Sequence, residues 1–482
     1  MMLTTSNKNK NDNQMSPSNN IKKKEWGKLL QFDKSSHKQT HQDDYGLFKK
    51  HSLIHNVYKA GRIKNLDINL NEGNTDKDML RYISGTHFII KRERITNYKA
   101  ADCEGDFVVF IYDESTNGTF INREKIKDKR ILIHNDIISI AESDNEVFKY
   151  LKIANSEKIT IIPKEVAKNY VDLRPLGHGA NGDVILVVSK INFRPFALKS
   201  IRKTDRDTKK SWINETNILK KIEHENLIKM IDTIDLSDNF YIILELMEGG
   251  ELQSRIMRSK GLPEKLAQFY FYQVSSAIKY LHNKKITHRD IKAQNVLLRS
   301  NEEYTLVKVT DFGLSKLIND ETQMQSRSGT FKYMAPEIYK RKVYTNRVDV
   351  WSLGVLLYFM LRNRFPFEET KEVPIFSAVI GGKFNFDHCI WKSISETAKC
   401  LIKRMLTVNP KHRYSIDNVV ECSWLDDVEL TEKISSLENS EVIHTNNKRD
   451  SENEKPNDKK IRKLPCSDPV INDNQIKRPR LK

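Results

Sequence analysis

A lysine and the glycines that precede it have the residue types and the spacing needed to hold a phosphate group. Gly177, Gly179 and Gly182 lie in the stretch LGHGANGDV (residues 176–184), and Lys199 follows on a predicted strand. Because glycine has no Cβ, the backbone amides of such a loop can approach the phosphates of a nucleotide closely. Taken alone, the glycines would equally suit a hairpin, and a single lysine on a strand would suit an exposed surface.

A second set of polar residues supplies a stronger signal. The stretch HRDIKAQN occupies residues 288–295, and DFG follows at residues 311–313. Together with the glycine loop, the lysine, MAPE at residues 334–337 and DVW at residues 349–351, these motifs match the protein kinase superfamily in type and in order. Residues 169–426 therefore resemble a protein kinase domain, in which a β-rich lobe leads into a helical lobe.

This resemblance implies ATP-dependent transfer of a phosphoryl group to serine or threonine. Such transfer spreads negative charge over the γ-phosphate oxygens, so catalysis rests on positioning and on stabilisation by metal and cations. Asp311 and Asn295 carry the oxygen ligands that Mg²⁺ prefers. Asp290 is placed to orient the substrate hydroxyl and to accept its proton. Lys292 resembles the lysine that marks serine/threonine kinases and contacts the γ-phosphate.

The resemblance also assigns the residues that bind the nucleotide. Glu215, in a helical pattern, is the expected partner that fixes the ammonium group of Lys199. The backbone of the hinge LELMEGGEL (residues 244–252) is expected to bind adenine, and Glu251 resembles the residue that meets the ribose or a substrate arginine. The predicted nucleotide-binding set is Leu176, Gly177, Gly179, Gly182, Val184, Ala197, Lys199, Glu245, Met247, Glu251 and Asn295.

Two positions depart from the family pattern and bear on substrate choice. Ala293-Gln294 stands where the family usually has Pro-Glu, and that glutamate often helps to bind a substrate arginine. The resemblance implies substrates with serine or threonine in a basic context, and the lost charge should weaken this preference. Phe331 stands where proline is common, so the residue after the phosphoacceptor is expected to be selected differently.

Ahead of this region, residues 53–155 read as short strands with turns between them. Stretches such as HFIIKRERI and DFVVFIYD alternate with turn-rich segments such as ESTNGT, which predicts an all-β sandwich. The sequences GR at 61–62, SGTH at 84–87 and NGT at 117–119 occur there in order. Each is ordinary alone, but as an ordered set they resemble the forkhead-associated domain, which binds phosphothreonine peptides.

The second resemblance implies a pocket for phosphate. Arg62 can offer a forked, charge-assisted donor to the phosphate oxygens, and the Ser84 hydroxyl adds a neutral donor. Asn117 is expected to hold the peptide backbone, whereas His87 is expected to brace the loops. Gly85 stands where many such domains place lysine or arginine, so a modest affinity is expected.

The layout of these two domains resembles the checkpoint kinase 2 family, whose members are effectors of the DNA-damage response. The sequence thus predicts a multidomain chain: a disordered tail at 1–52, a forkhead-associated sandwich at 53–155, a bilobal α+β kinase at 169–426 and a disordered basic tail at 427–482. A meiosis-specific kinase shares this layout and is an alternative. A kinase-dead phosphopeptide adaptor is disfavoured, because the predicted lysine, base and metal ligands are all present.

Regulation is expected to involve phosphorylation of the segment that follows the DFG motif. Arg289 directly precedes Asp290, and kinases with that arginine commonly use it to receive an activation-loop phosphate. Ser326 and Thr330 are the predicted phosphosites, which implies an upstream activating kinase. The family's cluster of Ser-Gln and Thr-Gln sites is missing before Val57, so whether the chain forms a homodimer stays open.

The bulk composition sets wider limits. The chain has 482 residues and a formal net charge of +17, which suits a phosphate-rich partner or simply a lysine-rich solvated surface. Its cysteines lie far apart, which indicates neither a zinc site nor a disulfide framework and fits a reducing compartment. The longest apolar run, residues 351–361, falls short of the roughly 20 residues that span a bilayer, so no membrane partner is expected.

Two basic clusters near the C-terminus suggest a subcellular location. KKIRK at residues 459–463 and KRPRLK at residues 477–482 have the form of nuclear localisation signals, which predicts a nuclear protein. A charged, solvated tail is the alternative interpretation. Nuclear import is favoured over direct contact with DNA.

Overall fold

The computed structural model describes residues 24–32, 47–72, 75, 77–97, 105–153, 162–179, 182–203, 206–313, 315–317, 331–340, 343–369 and 374–450. Ser326, Thr330 and both C-terminal basic clusters lie outside these described residues. Among the described helices, none combines the length and the apolarity that crossing a membrane would require.

The first region, up to residue 153, is a β-sandwich, as its strand pattern predicts. Its strands are β1 (Gly27–Phe32), β2 (Leu47–Leu53), β3 (Val57–Gly61), β4 (Ile68–Asn69), β5 (Phe88–Arg94), β6 (Phe107–Asp113), β7 (Thr119–Ile121), β8 (Glu124–Lys125), β9 (Lys129–Ile131), β10 (Ile137–Ile140) and β11 (Glu146–Lys152), with the short helix α1 (Lys77–Leu80). One sheet has the order β2-β1-β11-β10-β7-β8 and the other β4-β3-β5-β6-β9. Alternate side chains of both sheets, such as Leu29, Phe88 and Phe148, form the buried core.

The sandwich begins earlier than the sequence pattern predicts. Strand β1 and most of β2 lie within residues 1–52, which the composition assigned to a disordered tail. In β1, Gly27, Leu29 and Gln31 are buried while the residues between them are partly exposed. The strand gains its stability from pairing with β2 and β11, and these long-range partners are not visible in a short segment that follows a lysine run.

The second region opens with a five-stranded antiparallel sheet in the order β12-β13-β14-β16-β15. Its elements are α2 (Lys164–Ala167), β12 (Tyr170–Gly179), β13 (Gly182–Ser189), β14 (Pro195–Arg202), α3 (Arg206–Leu219), β15 (Met230–Asp235) and β16 (Asn239–Glu245). Strands β12 and β13 form the hairpin that carries the predicted glycine loop.

A helical lobe follows. Its elements are β17 (Gly250–Glu251), α4 (Leu252–Ser259), α5 (Glu264–Asn283), β18 (Ile286–Thr287), β19 (Val296–Leu298), β20 (Val307–Val309), β21 (Lys316–Leu317), α6 (Pro336–Tyr339), α7 (Arg347–Arg362), α8 (Ile375–Gly381), α9 (Glu396–Met405), α10 (Ile416–Val420) and α11 (Val428–Asp450). Helix α7 is buried along nearly its whole length, which explains the apolar run in its sequence. Helix α11 occupies part of the stretch that composition assigned to a disordered tail.

Candidate active site and phosphopeptide site

The hairpin between β12 and β13 requires glycine where the sequence has it. Gly182 has a φ of +113°, and a Cβ there would come within 1.9 Å of the Ser200 carbonyl oxygen. Nothing lies within 4 Å of the Cβ position of Gly177, so the backbone there is open to a ligand. Val184 pairs in register with Lys199 across β13 and β14, which places the lysine beneath this hairpin.

Lys199 forms the ion pair that the sequence predicted. Its Nζ lies 2.7 Å from Oε1 of Glu215 and 3.5 Å from Oδ1 of Asp311. Burial opposes the charge on Lys199, but the two carboxylates outweigh it and raise the pKa of the ammonium group. The lysine therefore stays protonated and fixed, as a residue that holds phosphates must be.

The catalytic loop brings Asp290, Lys292 and Asn295 together. Lys292 Nζ donates to Oδ2 of Asp290 at 2.6 Å, and Asn295 Nδ2 donates to the same oxygen at 3.1 Å. Because Nδ2 of Asn295 donates to Asp290, the side-chain Oδ1, the only amide atom that can ligate a metal, faces away from this carboxylate. The Thr310 backbone amide donates to the backbone carbonyl of Asn295 at 2.9 Å, which joins Asn295 to the segment that carries Asp311. An amide oxygen and a carboxylate so placed fit a hard divalent cation.

Asp349 holds the start of this loop in place. It is fully buried, and it accepts hydrogen bonds from the backbone amides of His288 and Arg289, each at 2.9 Å. Burial disfavours its charge, but these donors and the nearby His282 outweigh that effect and lower the pKa of Asp349. The carboxylate supports Arg289 in a left-handed conformation, with a φ of +73°, directly before the candidate base.

Asn214 is a positioning residue that the sequence analysis missed. Its Nδ2 donates to the Ser315 carbonyl oxygen at 2.6 Å, and the Ser315 hydroxyl donates to the His288 carbonyl at 3.1 Å. Helix α3, the DFG segment and the catalytic loop are thereby joined by consecutive hydrogen bonds. Asn214 directly precedes Glu215, but nothing in the motif pattern assigns it a partner.

The side chain of Glu245, near the start of the hinge, is paired with basic residues. Glu245 lies 3.0 Å from Lys308 Nζ and 3.6 Å from Arg299, and it accepts from the Lys229 amide at 2.7 Å. Its backbone is thus the part left to meet adenine, as the resemblance implies. Leu244 and Met247 are buried on either side of it.

Two further residues, Glu251 and Phe331, are expected from the family resemblance to bear on substrate binding. Burial raises the pKa of Glu251, an effect that the nearby Lys292 opposes. Phe331 is 63% exposed, so a bulky apolar ring faces solvent where the family pattern has proline.

In the sandwich, the predicted phosphopeptide residues share one end. His87 is fully buried, accepts from the Ser84 amide at 3.1 Å and lies 3.2 Å from the Gly118 carbonyl. Burial lowers the pKa of His87, so the ring is a neutral brace between these two loops. A Cβ on Gly61 would come within 2.2 Å of the Gly85 carbonyl, which explains the glycine before Arg62.

The side chains predicted to meet the phosphopeptide lie at the surface of this end. Arg62 and Asn117 are exposed, and Asn117 Nδ2 donates to the Tyr82 carbonyl at 2.7 Å. The Ser84 hydroxyl accepts from the Thr116 amide at 3.1 Å. Lys125 Nζ donates to the Asn117 carbonyl at 3.2 Å, a cation beside the pocket that the motif pattern does not predict.

The fold and the two sites define a protein kinase whose catalytic domain follows a forkhead-associated domain. Residues 170–425 match the family model of the protein kinase domain, and residues 58–141 match that of the FHA domain. The chain is 39% identical over 399 residues to the ovarian-specific serine/threonine-protein kinase Lok of Drosophila melanogaster, covering 80% of this chain and 82% of Lok. It is 33% identical over 377 residues to the serine/threonine-protein kinase chk-2 of Caenorhabditis elegans, covering 74% of this chain and 75% of chk-2.

The chain therefore belongs to the checkpoint kinase 2 family of serine/threonine protein kinases. A kinase-dead adaptor is not supported. The kinase domain implies the use of ATP with a divalent metal and of protein substrates, and the FHA domain implies binding of phosphothreonine peptides.

Proposed function

We propose that this chain is a Mg²⁺-dependent checkpoint kinase that phosphorylates serine or threonine in response to DNA damage. The observation that carries the proposal is the assembled state of the catalytic residues. Lys199 is within 2.7 Å of Glu215, and Lys292 and Asn295 both bind Asp290. These residues come from β14, α3 and the catalytic loop. Phosphoryl transfer requires them to lie close together, whereas a phosphopeptide adaptor does not.

The arrangement divides the work of phosphoryl transfer. Lys199 orients the phosphates, and Asp290 orients the substrate hydroxyl and accepts its proton. Lys292 neutralises charge that develops on the γ-phosphate. Asp311 and Asn295 would hold Mg²⁺, which would supply positive charge against the negative charge of the phosphate groups.

The biochemical part is tested with the purified full chain and a library of basic peptides. Transfer of phosphate to serine or threonine is expected with ATP and Mg²⁺, and loss of transfer is expected in Asp311→Ala. Folded wild-type protein that turns over no ATP on any peptide would contradict the proposal.

The cellular part is tested by phosphoproteomics after DNA breakage. Cells with the active kinase are compared with cells that carry Asp311→Ala, and a set of breakage-dependent phosphosites should be missing in the variant. If the missing sites occur only in meiotic cells and only on meiotic chromosome proteins, the meiosis-specific alternative replaces the checkpoint role.

Activation would depend on an upstream kinase that phosphorylates Ser326 or Thr330. Arg289 supports this proposal, because it is a cation beside Asp290 whose guanidinium lies 5.7 Å from the Tyr344 ring centroid. A phosphate received there would order the segment after Asp311. Phosphatase treatment should inactivate the wild-type kinase, and full activity of a chain with both sites changed to alanine would contradict the proposal. Sedimentation of both phosphorylation states shows whether a dimer takes part.

The basic clusters at 459–463 and 477–482 would direct the kinase to the nucleus. Removal of residues 455–482 should move the protein to the cytoplasm and leave its activity in vitro intact. Unchanged nuclear location would show that import uses another signal.

A further inference from the structure

Helix α3, which carries Glu215, has residues around this glutamate that stabilise a helix poorly. Asn214 and Thr216 flank Glu215, and both have low helix propensity. The Thr216 hydroxyl donates to the Trp212 carbonyl oxygen at 3.0 Å, a local bond that slightly destabilises helices. Most of the stability of such a helix comes from the surface against which it packs. The position of Glu215 therefore depends on the contacts that α3 makes with its neighbours.

An aromatic stack joins this helix to the sheet of the β-rich lobe. The ring of Trp212, one helical turn before Glu215, lies nearly parallel to the ring of Phe240 in β16, with centroids 3.9 Å apart and an angle of 12° between the planes. Phe240 is fully buried, and Trp212 is partly buried. Residues three apart lie on the same face of a helix. The stack and the ion pair with Lys199 therefore hold neighbouring turns of α3 against one sheet.

Phe240 is in turn tied to the strands on both sides of it. It pairs in register with Ile201 of β14 and with Asp235 of β15. Lys203 Nζ lies 4.2 Å from the centroid of the Phe240 ring, where a cation is attracted to the aromatic face, and it donates to Oδ1 of Asp235 at 2.5 Å. The partner on which Trp212 stacks is thus a fixed part of the sheet.

We propose that Trp212 is a positioning residue for phosphoryl transfer, because its stack on Phe240 holds α3 where Glu215 can reach Lys199. The inference rests on the proposed function, since it gives Trp212 a part in the same kinase reaction. Without the stack, α3 can occupy positions in which Glu215 is too far from Lys199. ATP then binds well only to the fraction of molecules in which the ion pair is formed, and the apparent affinity for ATP falls by that fraction.

Trp212→Ala in the full chain tests this inference. The KM for ATP should rise about threefold to tenfold, the factor that corresponds to the loss of one aromatic pair. The kcat should change by less than about twofold, because saturating ATP shifts the population back towards the paired state. A merely structural role would give a different result, since partial loss of folded enzyme lowers kcat and leaves the KM for ATP unchanged.

Three further variants identify the ring as the cause. Trp212→Phe keeps a ring that can stack on Phe240 and should restore the KM to within about twofold of the wild type. Trp212→Leu keeps apolar volume but has no ring, so it should raise the KM as alanine does, even if the alanine variant fails to fold. Ile213→Ala shortens a 39% exposed apolar side chain of the same helix and is the matched control, with an unchanged KM.

A double-mutant cycle tests whether Trp212 acts through the ion pair. The readout is the affinity for a non-hydrolysable ATP analogue, measured by isothermal titration, so that inactive variants can be compared. In a Glu215→Gln chain the ion pair is already lost, and adding Trp212→Ala should weaken binding no further. Fully additive effects of the two changes would show that Trp212 acts by another route and would overturn the proposal.

An unchanged KM for ATP in both Trp212→Ala and Trp212→Leu would also overturn the proposal, as would an equal rise in Trp212→Phe or in Ile213→Ala. Failure of the proposed function looks different. A folded wild-type chain that binds the ATP analogue but transfers no phosphate to any peptide would contradict that function, while the binding comparison among the variants would still decide the role of Trp212.

Discussion

The two ligand sites of this chain hold their polar side chains in opposite ways. In the kinase site, Lys199, Glu215 and Asp290 are at most 8% exposed, and each has a charged neighbour. In the phosphopeptide site, Arg62 and Asn117 are exposed, and rigidity comes from the buried His87 beneath them.

The difference follows from what each site must do. Phosphoryl transfer requires charges that are positioned before the substrate arrives, and burial with an opposite charge achieves this. Removing one partner of a buried pair costs about 3–5 kcal/mol, so these residues also support the fold. A peptide that docks at an exposed loop can use side chains that settle on binding. The two sites should therefore respond separately, and differently, to substitution.

The largest expected effect is on the reaction itself. Asp290→Ala should lower kcat by about 10²–10⁴, the usual share of a general base. Asp290→Asn is the matched variant, because it keeps an oxygen for Lys292 and Asn295 but accepts no proton, and it should lose a comparable factor. Both variants should bind phosphothreonine peptide as the wild type does. A variant that also loses peptide binding would show that the two sites are not independent.

The next effect is on peptide binding. Arg62→Ala should weaken the binding of a phosphothreonine peptide by about tenfold to a hundredfold, since a charge-assisted hydrogen bond is lost. The rate on a kinase substrate should not change. Isothermal titration of the full chain, with phosphorylated and unphosphorylated peptides, measures this, and Lys125→Ala shows what the second nearby cation contributes. Equal wild-type affinity for both peptides would remove phosphate recognition from this pocket.

A smaller effect is expected from Asn214, which positions the catalytic segments of the kinase site but is not itself a predicted ligand. Asn214→Ala should lower kcat by up to about tenfold, the value of one lost hydrogen bond. Asn214→Asp should do worse, because its carboxylate would face the Ser315 carbonyl. The exposed Asn217 on the same helix is the control. If Asn214→Ala and Asn217→Ala have equal activity, Asn214 has no positioning role.

The smallest effect concerns stability in the sandwich. Burial and the neighbouring Lys49 lower the pKa of His51 from 6.5 to about 4. The unfolded chain then binds a proton that the folded domain does not, so stability is complete above pH 6.5 and falls as the pH drops from 6.5 towards 4. His51→Gln should reduce the loss between pH 7 and pH 5 by about 1 kcal/mol, because the partly exposed ring is screened by solvent. Chemical denaturation at the two pH values measures it, and parallel losses in both proteins would contradict this assignment.

Residues within local motifs could be placed from the sequence, because their spacing along the chain determines their spacing in the loop. Residues 177–182 and 288–295 are examples, and the predicted ion pair between Glu215 and Lys199 is present in the structure. Contacts between distant segments could not be predicted in this way. Asp106 and Arg174 are 68 positions apart, and in the sequence each is an ordinary charged residue. Asn214 was missed for the same reason, since Ser315 lies 101 positions away.

The glycine at position 85 bears on how long a phosphopeptide stays bound as well as on how tightly it binds. A Cβ at this position would lie 3.2 Å from Cδ1 of Ile63, a half-exposed side chain that can move aside, and the backbone of Gly85 does not need glycine for its φ. A single change to lysine could therefore add a second phosphate cation. Differences in affinity between related complexes arise mostly in the dissociation rate, so that change would lengthen each docking event. With glycine, we expect each docking event to be shorter than it would be with lysine at this position.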